Sequence, residues 1–220
     1  MKSTRLIYRV AMARSKKWMI DKYGDRFWQR FQTDSDQWLE RILPEVPDIG
    51  NSIFAFNYAF CPAYIAWYKS LIGLGLSNDE AGEAIWTMNE RLLTMIPGWL
   101  MPLGKRTYLG GFRKKAAEHA EKSRLNDLHP YDWKITYREI SQNTFEIDIT
   151  ECAMLKLGRD FDALGMFPML CRMDYLLAHY IRTGFERTKT LADGDECCNC
   201  RYHLGGSCDW PPAGGFYQQK

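Results

Sequence analysis

The chain has 220 residues, 46% of them hydrophobic, which is enough for a sizeable buried core. Its 29 Lys and Arg nearly balance 27 Asp and Glu, so a net charge of +2 with scattered basic residues gives no electrostatic case for nucleic-acid binding. Eight Trp suit core packing first and an aromatic-lined pocket second.

The amino terminus begins with a cation, but Arg9 and Arg14 interrupt any apolar stretch and no small-residue cleavage site follows. The expected compartment is therefore the cytoplasm, where seven cysteines remain free thiols unless they bind metal or do chemistry. Apolar residues from Trp18 to Ile42 recur at helical spacing and predict a helix over Lys16 to Leu43, closed by Pro44 and Pro47. The uncharged window Ile49 to Tyr68 contains Asn51, Asn57, Pro62 and three tyrosines, which fits a buried aromatic helix (Ser52 to Leu74) better than a membrane span. Ser77 and Glu80 form a capping box that opens a third helix, with Ala81, Ile85, Met88, Leu92 and Met95 directed to the core. A fourth, polar helix is expected over Lys105 to Arg124.

Beyond NDLHP the period changes to two. WKITYREI and NTFEIDIT alternate around a Ser-Gln-Asn turn and predict a hairpin. Thr150 is read as the cap of a helix running through Cys152 to Arg159, and a further helix spans Pro168 to Ile181. Strands Phe185 to Leu191 and Cys197 to Leu204, joined by Ala-Asp-Gly-Asp, complete the pattern. The fold class is α+β: an N-terminal helical layer (about 1–125), then a four-stranded antiparallel β-β-α-α-β-β half (about 130–204). Both belong to one compact domain over 1–204, followed by a loosely ordered tail, 205–220.

The segment GDECCNCRYH, Gly194 to His203, places three cysteines within four positions. Cys197, Cys200, His203 and Cys208 have the residue types of a zinc knuckle, but the gap between the second Cys and the His is short. Strand parity also turns Cys197 and His203 to one face and Cys198 and Cys200 to the other. Across the chain, Cys152 falls in the first turn of a helix, where a thiolate is favoured, and Asp174 lies one turn from Cys171 beside the stripe Leu170, Met173, Leu177 and Tyr180. Helix phase and strand parity predict that Cys152, Cys171, Asp174 and Cys198 line one cavity. No phosphate-cradling glycine loop is present, so no nucleotide cofactor is expected.

The run FERTKTLADGDECCNCRYH, with ITEC at Ile149 to Cys152, LCRMDY at Leu170 to Tyr175 and AWYKSLIGLGLSNDEA at Ala66 to Ala81, resembles the L-2-amino-thiazoline-4-carboxylic acid hydrolase family. The chain departs from the family pattern at Asn199, where an acid is usual, and at Cys200, where an aromatic is usual. The resemblance implies a hydrolase acting on C–N or C–S bonds of a cyclic amidine, opening 2-amino-thiazoline-4-carboxylate to N-carbamoyl-cysteine. On that reading Asp174 orients the cationic ring, and Cys198, which takes the position of the family's cysteine, is favoured over Cys171 and Cys152 as nucleophile, an activated water being the other route. Thr188 and Thr190 would offer hydroxyls and Arg201 a cation for the substrate carboxylate, although its parity turns it from Cys198. A rival arrangement uses Cys152, Cys171 and Cys198 with Asp174 or a histidine as a soft metal set, so zinc stays open as a cofactor. The runner-up function is a small-molecule-binding or sensor domain, related to vinyl-reductase accessory and nitric-oxide-sensing domains, with no turnover. The expected partner is a small molecule, with no nucleic acid and no membrane; homo-oligomerisation is left open.

Overall fold

The computed structural model describes residues 2–208, apart from the side chains of residues 2, 104 and 106–108. Most of the expected C-terminal tail lies outside the described residues. The chain forms two compact units: Met1–Asp48, Phe56–Met95 and Met154–Leu170 in the first, and Ile49–Ala55, Ile96–Ala153 and Cys171–Lys220 in the second.

The first unit is helical. Two helices, α1 (Lys2–Tyr23) and α2 (Asp25–Ile42), replace the single helix expected from Lys16 to Leu43. Gly24 separates them at φ 92°, a left-handed conformation that glycine adopts without a Cβ penalty. Met19 and Trp28, the buried residues on either side of the break, are nine positions apart, about two and a half helical turns, so the two buried faces do not form one stripe. Helix α3 (Ala55–Gly73) is buried on nearly every face from Cys61 to Leu71, as its uncharged sequence requires. Among the described residues no helix is long and apolar enough to cross a membrane. Helix α4 (Asn78–Leu93) opens with the anticipated capping box, in which Ser77 accepts from the Glu80 amide and Glu80 reaches back to the Ser77 amide. Ala81, Ile85 and Met88 are buried, whereas Met95 lies past the helix end and is exposed.

Helices α6 (Ala153–Asp160) and α7 (Phe167–Leu170) complete this unit, and α7 packs against α4. The approach is close enough to specify glycine. A Cβ on Gly158 would overlap the buried Phe167 ring, and one on Gly82 would stand 2.9 Å from the Met169 Cβ. Gly158→Ala is therefore expected to destabilise the fold by about 1–3 kcal/mol through overpacking, read as a lower denaturant midpoint at unchanged m-value.

The second unit contains the sheet. Strands β1 (Lys134–Ser141) and β2 (Thr144–Glu151) form the expected hairpin. With β3 (Gly184–Glu186) and β4 (Cys198–His203) they give an all-antiparallel sheet of order β1-β2-β4-β3. Helix α5 (Lys105–Arg124) packs on β1 and helix α8 (Met173–Ile181) on β3. The fold is α+β with a helical N-terminal part, and three helices (α6, α7 and α8) stand between β2 and β3 where two were expected, giving β-β-α-α-α-β-β connectivity.

Alternation sorts the sheet faces. Phe145, Ile147 and Ile149 of β2 are buried, and Phe145 stacks on Tyr202 of β4 at 5.0 Å between centroids. The opposite face is charged: Arg138 bonds Glu146 and Asp148, and Glu146 also takes Arg201.

Three local expectations are corrected. Thr150 is not a helix cap but a strand residue donating to the Lys134 carbonyl, because β2 continues to Glu151. The helix expected over Pro168 to Ile181 breaks at Cys171 and Arg172 between α7 and α8. The third strand is three residues long, and Arg187 to Thr190 leave the ladder.

Candidate functional site

The site grows from the inner face of β4 and the break between α7 and α8. Register sets Cys198 opposite Ile149 and Cys200 opposite Ile147, so both thiols are buried under the sheet. Cys152 follows the end of β2 and is half-buried. Asp174 occupies the first turn of α8.

Arg187 ties these elements together. Its buried guanidinium donates from Nη1 to Asp174 Oδ2 at 2.7 Å and from Nη2 to the Cys171 carbonyl. It lies over the Tyr175 and Phe185 rings, 5.8 and 5.4 Å from their centroids, and the Tyr175 hydroxyl donates to the Arg187 carbonyl at 3.0 Å. Burial is the largest single influence and disfavours this charge; Asp174, followed by Cys200, Cys171 and Cys198, opposes it, and together they hold the guanidinium protonated.

Asp174 is half-buried, its side chain 37% accessible. Desolvation raises its carboxyl above the usual range, and Arg187 opposes the rise. Only Oδ2 is engaged; no donor from the described residues reaches Oδ1.

The neighbouring thiols are all pushed toward their neutral forms. Burial holds Cys171 well above the ordinary thiol value and lifts Cys200 to about 12, with Arg187 pulling both back. Cys198 is raised by burial too, but its sulfur accepts the Leu191 backbone N–H at 3.3 Å, and that bond, with Arg187, favours the thiolate. Cys171 is close enough to Cys198, Cys152 and Asp174 for their charges to couple. The four residues expected to share a cavity are thus electrostatic neighbours.

The other candidate residues fall elsewhere. Thr188 is exposed, and its hydroxyl accepts from the Asn199 amide at 2.8 Å. Thr190 is buried, with its oxygen engaged by Asp193, where it caps the 3-10 turn Leu191–Asp193 that precedes Gly194 at φ 89°. Arg201 projects from the charged face to Glu146 at 2.5 Å. Asn199, also on that side of β4, accepts the Thr188 and Lys189 backbone amides on one oxygen, at 3.0 and 2.7 Å. An acid there would accept the same two bonds, so this departure from the family pattern preserves a backbone clasp. Among the described residues no three His, Cys, Asp or Glu side chains are grouped to hold a metal ion.

Arg187 is the residue that sequence reasoning missed. The signal was parity: a strand that buries Phe185 turns Glu186 out and Arg187 in, opposite to Thr188. A half-buried carboxylate anchored on one oxygen, with no donor from the described residues on the other and thiols as electrostatic neighbours, can receive a small cationic group and present a nucleophile beside it.

No curated protein matches the chain. Residues 102–202, which carry the whole sheet up to Tyr202 together with Cys152, Cys171, Asp174, Arg187 and Cys198, match the family described as L-2-amino-thiazoline-4-carboxylic acid hydrolase, and this match supports the family resemblance read from the sequence.

Proposed function

We propose that the second unit hydrolyses a small cyclic isothiourea or amidine bearing a carboxylate, of the 2-amino-thiazoline-4-carboxylate type, at Asp174 and Cys198. The observation that carries this reading is the carboxylate of Asp174, held by a buried arginine on Oδ2, with no donor from the described residues on Oδ1. A protonated aminothiazoline is an amidinium-like cation, and its N–H groups match that oxygen. Pairing there orients the ring and favours its protonated form, in which the carbon between nitrogen and sulfur is most electrophilic.

Attack at that carbon then follows. A Cys198 thiolate would add to it, and collapse of the tetrahedral adduct would break the ring C–S bond. The released sulfur would take a proton, leaving an S-linked carbamimidoyl intermediate. Water would then add to that intermediate, and expulsion of Cys198 would leave N-carbamoyl-cysteine; the net change is addition of one water across the ring. Among the buried thiols Cys198 suits this role because a backbone N–H already points at its sulfur. Arg187 acts by positioning Asp174.

A pH profile tests the nucleophile. Since burial holds Cys198 above the ordinary thiol value, the reactive thiolate is scarce at neutral pH and grows with alkalinity. kcat/KM is therefore expected to climb about tenfold per pH unit between roughly pH 6 and 8. A profile already flat by about pH 6 would point to water activated at Asp174. The thiols' neutral bias is also what favours the sensor reading: a pocket that binds without turnover. Saturable binding with no ring-opened product by mass spectrometry would establish that reading instead.

A further inference from the structure

We propose that segment 96–115 docks on an anionic lipid surface. Four large apolar side chains in this segment are exposed: Trp99 and Leu103 at 70% each, with Ile96 and Leu100 beside them in sequence. Such a cluster is not needed for folding, because the loop is already seated by buried Met101 and by the 3-10 turn Met101–Gly104, which packs on α5 and α8. Pro97 and Pro102 keep the segment from extending either neighbouring helix or pairing as a strand.

Charge identifies the occupant. From Ile96 to Lys115 the sequence has five cations (Lys105, Arg106, Arg113, Lys114 and Lys115) and no acid, in a chain whose net charge is only +2. Lys114 and Lys115 are exposed on α5, Lys114 lying 4.0 Å from Glu118 Oε1, and the opposite face of the helix is buried through Leu109, Ala116 and His119. Arg113 is engaged by Glu139 and lends less. Exposed Trp and Leu followed by Lys is the pattern of an interfacial anchor, with apolar tips in the acyl boundary and ammonium groups among lipid phosphates. A second copy fits poorly: a two-fold contact through this patch would set the cations against one another. The expectation of no membrane partner rested on the absence of a spanning segment, and a surface-bound loop needs none.

Sedimentation of the full chain with vesicles of phosphatidylcholine alone, or with about 30% phosphatidylserine, tests the assignment. Binding is expected only with phosphatidylserine, weakening at least about tenfold in about 0.5 M salt. Trp99→Ser with Leu103→Ser, and separately Lys114→Glu with Lys115→Glu, are each expected to reduce binding by about tenfold or more. Circular dichroism and turnover unchanged from wild type would exclude misfolding as the cause. Equal binding to both vesicle types, no binding to either, or undiminished binding by the Trp99/Leu103 variant would overturn it. So would vesicle-free dimerisation, by analytical ultracentrifugation, that the Trp99/Leu103 variant abolishes.

Discussion

Replacing Cys198 with Ser is expected to lower kcat on a thiazoline carboxylate by about three orders of magnitude while leaving substrate binding nearly unchanged. The hydroxyl is similar in size and can still accept the Leu191 N–H, so the turn Leu191–Asp193 should keep its place. What is lost is ionisation, because a serine hydroxyl in this buried position has no base within the described hydrogen bonds to take its proton. Single-turnover kinetics, with calorimetry for affinity, separate the two effects. A Cys198→Ser protein that retained most of its kcat would move the chemistry to water.

Asp174→Asn should act differently, raising KM and lowering kcat together, with a loss in kcat/KM of at least about a hundredfold. The amide keeps the shape but offers no charge to the ring, and it leaves buried Arg187 without its carboxylate. Because that carboxylate and guanidinium form one hydrogen-bonded unit, Arg187→Met should cost about as much, and the double variant little more than either alone. Steady-state kinetics on the three proteins make the cycle. Additive losses would mean that Arg187 serves the substrate directly instead of positioning Asp174.

Hydrophobic period and capping chemistry carried most of the architecture. The switch from period 3.6 to period 2 after NDLHP marked where the sheet begins, and Ser77 with Glu80 marked the start of a helix. The discontinuities were harder to read. The half-turn offset between buried Met19 and Trp28 across Gly24 shows only once exposed and buried apolar residues are told apart, and the break at Cys171 lies inside a mostly apolar run. The cysteines of the site were legible as residue types on the correct strand face. Arg187 was not, because FERTKT reads as a surface strand of charges and threonines unless parity is counted from Phe185. Apolar patterning also gives no notice of a buried cation, whose presence depends on a carboxylate thirteen residues away in the chain.

The interruption between α7 and α8 has a consequence for genetics. In an unbroken helix the Cys171 carbonyl would accept the amide of Tyr175; here that amide bonds Arg172 at 3.0 Å, and the Cys171 oxygen turns to Arg187. Part of the arginine's seat is thus main chain, common to all twenty amino acids. Any residue written at codon 171 carries the same acceptor, so a scan of side chains would pass over this contact in silence. Replacing the peptide link after residue 171 by an ester, whose carbonyl is a weaker acceptor, would expose it.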